Sequence, residues 1–162
     1  MELIQTIAAT ATAIGIFIAV IQLIYSYGHS ITRFEDEVSK EYREIIKPIP
    51  TEAILGEELS DDEFKKHLES IFSYIDLSNE EIFLRQRGRV SRKTWDYWRS
   101  GILSNMKKPV FKKAWDIIIE ANKKHPDNKT FAELEYLLEP ENVQKDPRKW
   151  GKVDFDQIQE RD

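Results

Sequence analysis

The sequence predicts an all-α protein: one N-terminal transmembrane helix plus a small cytoplasmic helical bundle. Three observations predict it. From Leu3 to Thr32 thirty consecutive residues carry no formal charge, with His29 counted as neutral. Downstream, apolar residues recur at helical spacings of three and four between Pro, Gly and Ser punctuation. No stretch alternates apolar and polar residues between turn signals, as a half-buried strand would.

The first element is "LIQTIAATATAIGIFIAVIQLIYSYG", Leu3 to Gly28. A bilayer core needs ~20 apolar residues in a helix, and this run exceeds that. A buried helix of a soluble domain rarely stays uncharged on every face. A cleaved signal peptide wants Lys or Arg ahead of an apolar core of roughly 7–15 residues, whereas here Met1 and Glu2 lead a longer run. Basic residues set the orientation of a span. None precedes this one, while Arg33, Lys40, Arg43 and Lys47 follow it. The expected placement is therefore single-pass in the cell inner membrane, N-terminus outside and C-terminal domain cytoplasmic, with Tyr25 and Tyr27 as interfacial anchors.

Polar and small residues in the span fall in register. Gln5, Ala8, Thr12, Gly15, Ala19 and Gln22, followed by Ser26, are spaced 3, 4, 3, 4, 3, 4. In lipid, bulk apolarity does not draw helices together; close backbone approach and interhelical hydrogen bonds do. A chain with one span has another copy as its natural partner, so the seam points to a homo-oligomer. With enough copies, the same polar seam lines a water-filled path.

The later elements follow in order. "ITRFEDEVSKEYREIIK" continues the span as a helix, with Gly28 and Ser30 as a point of bending and Pro48 and Pro50 as its stop. After the linker "PIPTEAILGEEL", Ser60 and Glu63 form a capping box opening a helix with Phe64, Leu68, Ile71, Phe72 and Ile75 on one face. Ser78 and Glu81 repeat that signature, which predicts a break near Asp76. Gly88 is a left-handed stop. Ser91 caps a helix aligning Trp95, Trp98, Ile102 and Met106. Pro109 opens the next, with Phe111, Trp115, Ile118 and Ile119 inward. Thr130 and Glu133 cap a last short helix that Pro140 ends. The expected division is 1–28 transmembrane helix, 29–50 juxtamembrane helix and linker, 51–139 bundle, and 140–162 polar tail, either loose or docked as an arm.

Composition excludes much chemistry. The 162-residue chain has no cysteine, which removes disulfides, thiolate metal sites and thiol catalysis. His29, His67 and His125 lie far apart, and Glu63 with His67 lacks a second matching pair for a two-helix metal site. There is no His-Glu-x-x-His, no glycine-rich phosphate loop and no Gly-x-Ser-x-Gly elbow. The Arg-to-His spacing of four to six residues that marks small helical ribonucleases is missing as well. No enzyme, metal, cofactor or small-molecule substrate is expected.

Charge is strongly segregated. From Arg33 to Glu81 there are six basic and fifteen acidic residues. From Arg85 to Lys113 there are ten basic residues and one acid, Asp96, with Trp95, Tyr97, Trp98 and Phe111 interleaved. The basic segment, led by Arg85, Arg87, Arg89, Arg92, Lys93 and Arg99, fits three roles. It pairs with the acidic segment within or between subunits, or faces anionic lipid headgroups, or contacts the phosphates of nucleic acid or a nucleotide.

The stretches "FEDEVSKEYREI" and "YIDLSNEEIFLRQRGRVSRKTWDYWRSGILSNM" behind an N-terminal span resemble a widespread group of small single-pass bacterial membrane proteins of unassigned function. More distantly the chain is similar to the membrane accessory (pore) protein of RNA-targeting CRISPR systems. That likeness implies a ring-shaped oligomer and a membrane pore acting in phage defence. The expected function is thus a self-associating membrane protein, either a pore or effector, or else a membrane-tethered helical module that recruits nucleic acid, anionic lipid or a protein partner through its basic segment.

Overall fold

The computed structural model describes residues 2–150, with side chains described at 5, 12 and from 14 onward. It is all-helical, with no strand among the described residues. Six α-helices run in order: α1 Glu2–Ile46, α2 Thr51–Leu55, α3 Asp61–Gln86, α4 Arg92–Asn105, α5 Pro109–Lys124 and α6 Ala132–Leu138. Short 3-10 turns follow at Pro126–Asn128 and Pro147–Lys149. The chain divides into two compact units at the junction of Glu37 and Val38.

In the first unit the chain is one helix. Helical geometry passes through Gly28 and Ser30 without interruption. Every residue from Ile14 to Ser30 is exposed. This helix is long and apolar enough to cross a membrane.

The second unit has its own core. In it α3 packs against α4, α5, α6 and the Pro147–Lys149 turn. The buried set is Phe64, Ile71, Tyr74, Ile75 and Ile82 from α3, Trp95, Trp98 and Ile102 from α4, Phe111, Ala114 and Ile118 from α5, and Leu134 and Leu137 from α6. The unit begins earlier than the sequence division at 51. Val38 and Ile49 are buried, and Tyr42 meets Tyr74 edge-on at 6.1 Å. The reason is periodicity: Val38, Tyr42, Ile45 and Ile46 give the end of α1 an apolar stripe that needs cover.

Local signals place most helix ends. The Glu63 N–H donates to Ser60 Oγ at 3.4 Å, and the Thr94 N–H to Ser91 Oγ at 3.2 Å. Gly88 adopts φ 71°, where its N–H donates to the Arg85 carbonyl and the Arg89 N–H to the Leu84 carbonyl, a Schellman stop. Pro109 stands at the start of α5.

Two caps differ from expectation. α3 is unbroken at Asp76, and Ser78 does not cap: its Oγ donates back to the Tyr74 carbonyl at 2.8 Å. The apolar face that includes Ile75 and Ile82 runs across the expected break, and its burial outweighs the local cap signal. At α6, Thr130 is drawn away. Its N–H and hydroxyl both donate to Asn122 Oδ1 at 3.1 Å. Phe131 instead flanks the helix at φ 60°, and Asn79 of α3 supplies the cap by accepting the Leu134 N–H at 2.9 Å. The tail to residue 150 is a docked arm. Asn142, Pro147 and Trp150 are buried, with Trp150 edge-on to Tyr136 at 4.7 Å. Residues 151–162 lie outside the described residues.

Candidate functional site

Three surfaces concern function, and the first is the span. Gln5, Thr12, Gly15, Ala19 and Gln22 are all exposed, as are Phe17, Leu23 and Ile24 on the other faces. Ala8 falls outside the described side chains. At 1.5 Å per residue, Gln5 and Gln22 stand ~25 Å apart along the helix axis, near the ~30 Å hydrocarbon thickness of a bilayer. A Cβ added at Gly15 would meet nothing within 4 Å. Gly15 and Ala19 therefore answer no packing demand visible within one copy.

The second is the basic segment, which the fold thins out. Arg85 is not at the surface. It is 4% exposed, and its guanidinium bonds Asp146 through both Nε and Nη2, the former at 2.9 Å, while Nη1 donates to the Val90 carbonyl at 2.7 Å. Those bonds hold the Asp146 carboxyl below its ordinary value, the Arg85 hydrogen bond being the main cause. Arg92 and Arg99 both pair with Asp96. Arg87, Arg89 and Lys93 are exposed, with Arg87 over the Phe83 ring at 5.0 Å. An ion pair joins the acidic and basic segments across the domain: Lys113 Nζ to Asp61 Oδ1 at 2.5 Å, which lowers the Asp61 carboxyl.

The third is a cavity of about 540 Å³ within the second unit, between the end of α1, α3 and α4. Ser39, Tyr42 and Arg43 line it from α1, Tyr74, Leu77, Ser78 and Glu81 from α3, and Tyr97 and Trp98 with Ser100 to Ile102 and Ser104 from α4. Helical spacing assembles it, since 39, 42 and 43 share a face of α1 and 74, 77, 78 and 81 share a face of α3. Glu81 is 5% exposed, and no hydrogen bond or ion pair from a described residue holds its carboxyl. Burial, with the Glu80 charge beside it, pushes that carboxyl up to about 8. Tyr74 is also raised by burial, although Asn105 Nδ2 donates to its hydroxyl at 3.0 Å.

Among the described residues no three of His, Asp and Glu converge as a metal site would require. Compared with protein families, curated proteins and solved structures, the chain finds no match.

The cavity is what sequence reasoning missed. Glu81 reads locally as the partner of a capping Ser78, and Arg85 as the start of a basic run. The signal that finds both is register. Positions 78, 81 and 85 fall on the face that carries Ile71, Tyr74, Ile75 and Ile82. An acid and an arginine on a buried helical face need an explanation.

Proposed function

We propose that this chain is a single-pass membrane protein that self-associates along the seam Gln5, Ala8, Thr12, Gly15, Ala19 and Gln22, holding its helical domain at the cytoplasmic face. One observation carries the reading: α1 is apolar from Ile14 to Tyr25, yet no face of it is covered. A bare helix of this kind needs lipid around it. Within lipid, a lengthwise stripe of small and polar residues is the place where a second copy gains contact and hydrogen bonds. Several copies arranged seam-inward form a polar-walled opening, so the assembled protein is an ion-conducting effector. The resemblance to accessory pore proteins supports phage defence as its setting.

The absence of cysteine makes the test clean. Ala19→Cys places one thiol on the seam, and Phe17→Cys places one on the far side of the helix. In bacterial membranes under mild oxidation, Ala19→Cys should give disulfide-linked dimer in several-fold greater yield. Equal yields, or release of the uncrosslinked chain by alkaline carbonate, would remove this reading.

A further inference from the structure

The cavity between α1, α3 and α4 has no part in the membrane reading. All its lining residues belong to the unit that begins at Val38, so it can be judged by itself. Its volume of about 540 Å³ is within the range of small-ligand sites. The wall has an unusual composition. Tyr42, Tyr74 and Trp98 supply aromatic rings, Tyr97 adds a fourth that is 80% exposed, serines stand at 39, 78, 100 and 104, and the acid is Glu81.

A buried carboxyl is normally held by hydrogen bonds or by a cation. Neighbouring polar groups of this domain are so held. Ser78 bonds the Tyr74 carbonyl, Asn105 bonds the Tyr74 hydroxyl, and Arg85 is closed off by Asp146 and Val90. Glu81, 5% exposed, has no hydrogen bond to a described residue, and its side chain opens onto the cavity. Arg43 lines the same cavity, but its residue is exposed and makes no ion pair with Glu81. A cation from outside would supply what the fold leaves out. Aromatic faces attract a positive nitrogen through their quadrupole, and a nearby carboxylate adds a full charge.

We propose that this cavity is a binding site for a small organic cation, an ammonium or guanidinium group seated against Glu81 and the rings of Tyr42, Tyr74, Tyr97 and Trp98. An anion read by Arg43 is the weaker reading, because the arginine faces water while the acid does not. Occupancy requires the carboxyl to ionise. The other ionisable groups lining the cavity are Tyr42 and Arg43 from α1, Tyr74 from its own helix and Tyr97 from α4, and Glu80 adds a negative charge beside Glu81. Glu81 is the carboxyl of that lining, so it is the group whose ionisation a cation draws on. Each bound cation should displace close to one proton at pH 7, and affinity should rise from pH 6 to pH 8.

The test is calorimetric titration of the full chain in detergent with choline, ethanolamine and guanidinium at pH 8, in two buffers of different ionisation enthalpy. The neutral isostere of choline, 3,3-dimethylbutanol, is the control. At least one cation should bind saturably with proton release and tenfold tighter than the alcohol. Glu81→Gln should weaken it at least tenfold while the circular dichroism spectrum stays native. The proposal fails if none of the three cations binds, if the alcohol binds as well as choline, or if binding survives Glu81→Gln. Saturable binding of inorganic phosphate that is lost in Arg43→Gln, with none of the three cations bound, would assign the cavity to an anion instead.

Discussion

Glu81 shows how one side chain ties stability to pH. Its carboxyl ionises near 4.5 in an unfolded chain and near 8 in the folded domain. Below pH 4.5 both states hold the proton and the site is neutral toward folding. Between 4.5 and 8 the native state holds more protons than the unfolded state, so stability falls as pH rises. Above 8 both are ionised, and the full penalty of a buried charge remains. At ~1.4 kcal/mol per pKa unit the penalty is on the order of a few kcal/mol. Glu81→Gln keeps the shape of the neutral acid and cannot ionise. Its melting temperature should match the native protein at pH 4 and exceed it increasingly up to pH 8–9. Thermal unfolding at four pH values decides this, and parallel curves would show that Glu81 is solvated or paired. At this scale the sequence is a poor guide. Glu81 and Arg85 look like any surface charges in "NEEIFLRQRG", and their burial depends on α1, α4 and the Pro147–Lys149 turn closing over them. No local pattern encodes that closure.

Helix ends are where local and tertiary signals compete. Ser60, Gly88, Ser91 and Pro109 act as their sequence contexts imply, because each needs only neighbours within four residues. Ser78 and Thr130 do not, because a distant group wins: an apolar face for Ser78, Asn122 for Thr130. At α6 the cap crosses between helices. Asn79 Oδ1 accepts the Leu134 N–H, and Asn79 Nδ2 donates to Glu133 Oε2 at 3.0 Å. One α3 side chain thus satisfies the first turn of α6 and fixes its docking, next to buried Leu134 and Leu137. Asn79→Ala should cost about 1–2 kcal/mol, the upper range for a lost cap, and should speed amide exchange at Leu134. Thr130→Ala removes only one of two bonds to Asn122 Oδ1 and should cost less than half as much. Denaturant midpoints and hydrogen exchange check the ranking. If Thr130→Ala proved the costlier change, the cap of α6 would be Thr130 after all.

The whole molecule joins two units with opposite demands on solvent. From Val38 onward the chain has a core of its own, rich in Trp, Phe and Ile, and a charged exterior. Before it stands a helix whose Ile, Leu and Phe side chains are uncovered. This division was legible in the sequence, because thirty uncharged residues followed by amphipathic helices can be read without tertiary knowledge. Its boundary was not, since the Val38 stripe only acquires meaning once it is buried and Tyr42 meets Tyr74 of α3. In the proposed assembly, Gln22 is the residue at which association and conduction separate. As an interhelical hydrogen bonder it would contribute ~1 kcal/mol, a modest share of what would hold copies together. As a wall of a wet path it is worth more, since an apolar constriction dewets and closes. Gln22→Leu should therefore leave Ala19→Cys crosslinking nearly intact while abolishing ion leak from vesicles densely loaded with the full chain. The helical domain should melt as before, because Gln22 is exposed and outside its core. Undiminished leak in Gln22→Leu would take this glutamine out of the conducting wall. Crosslinking and leak lost together would make it a strut of the assembly instead.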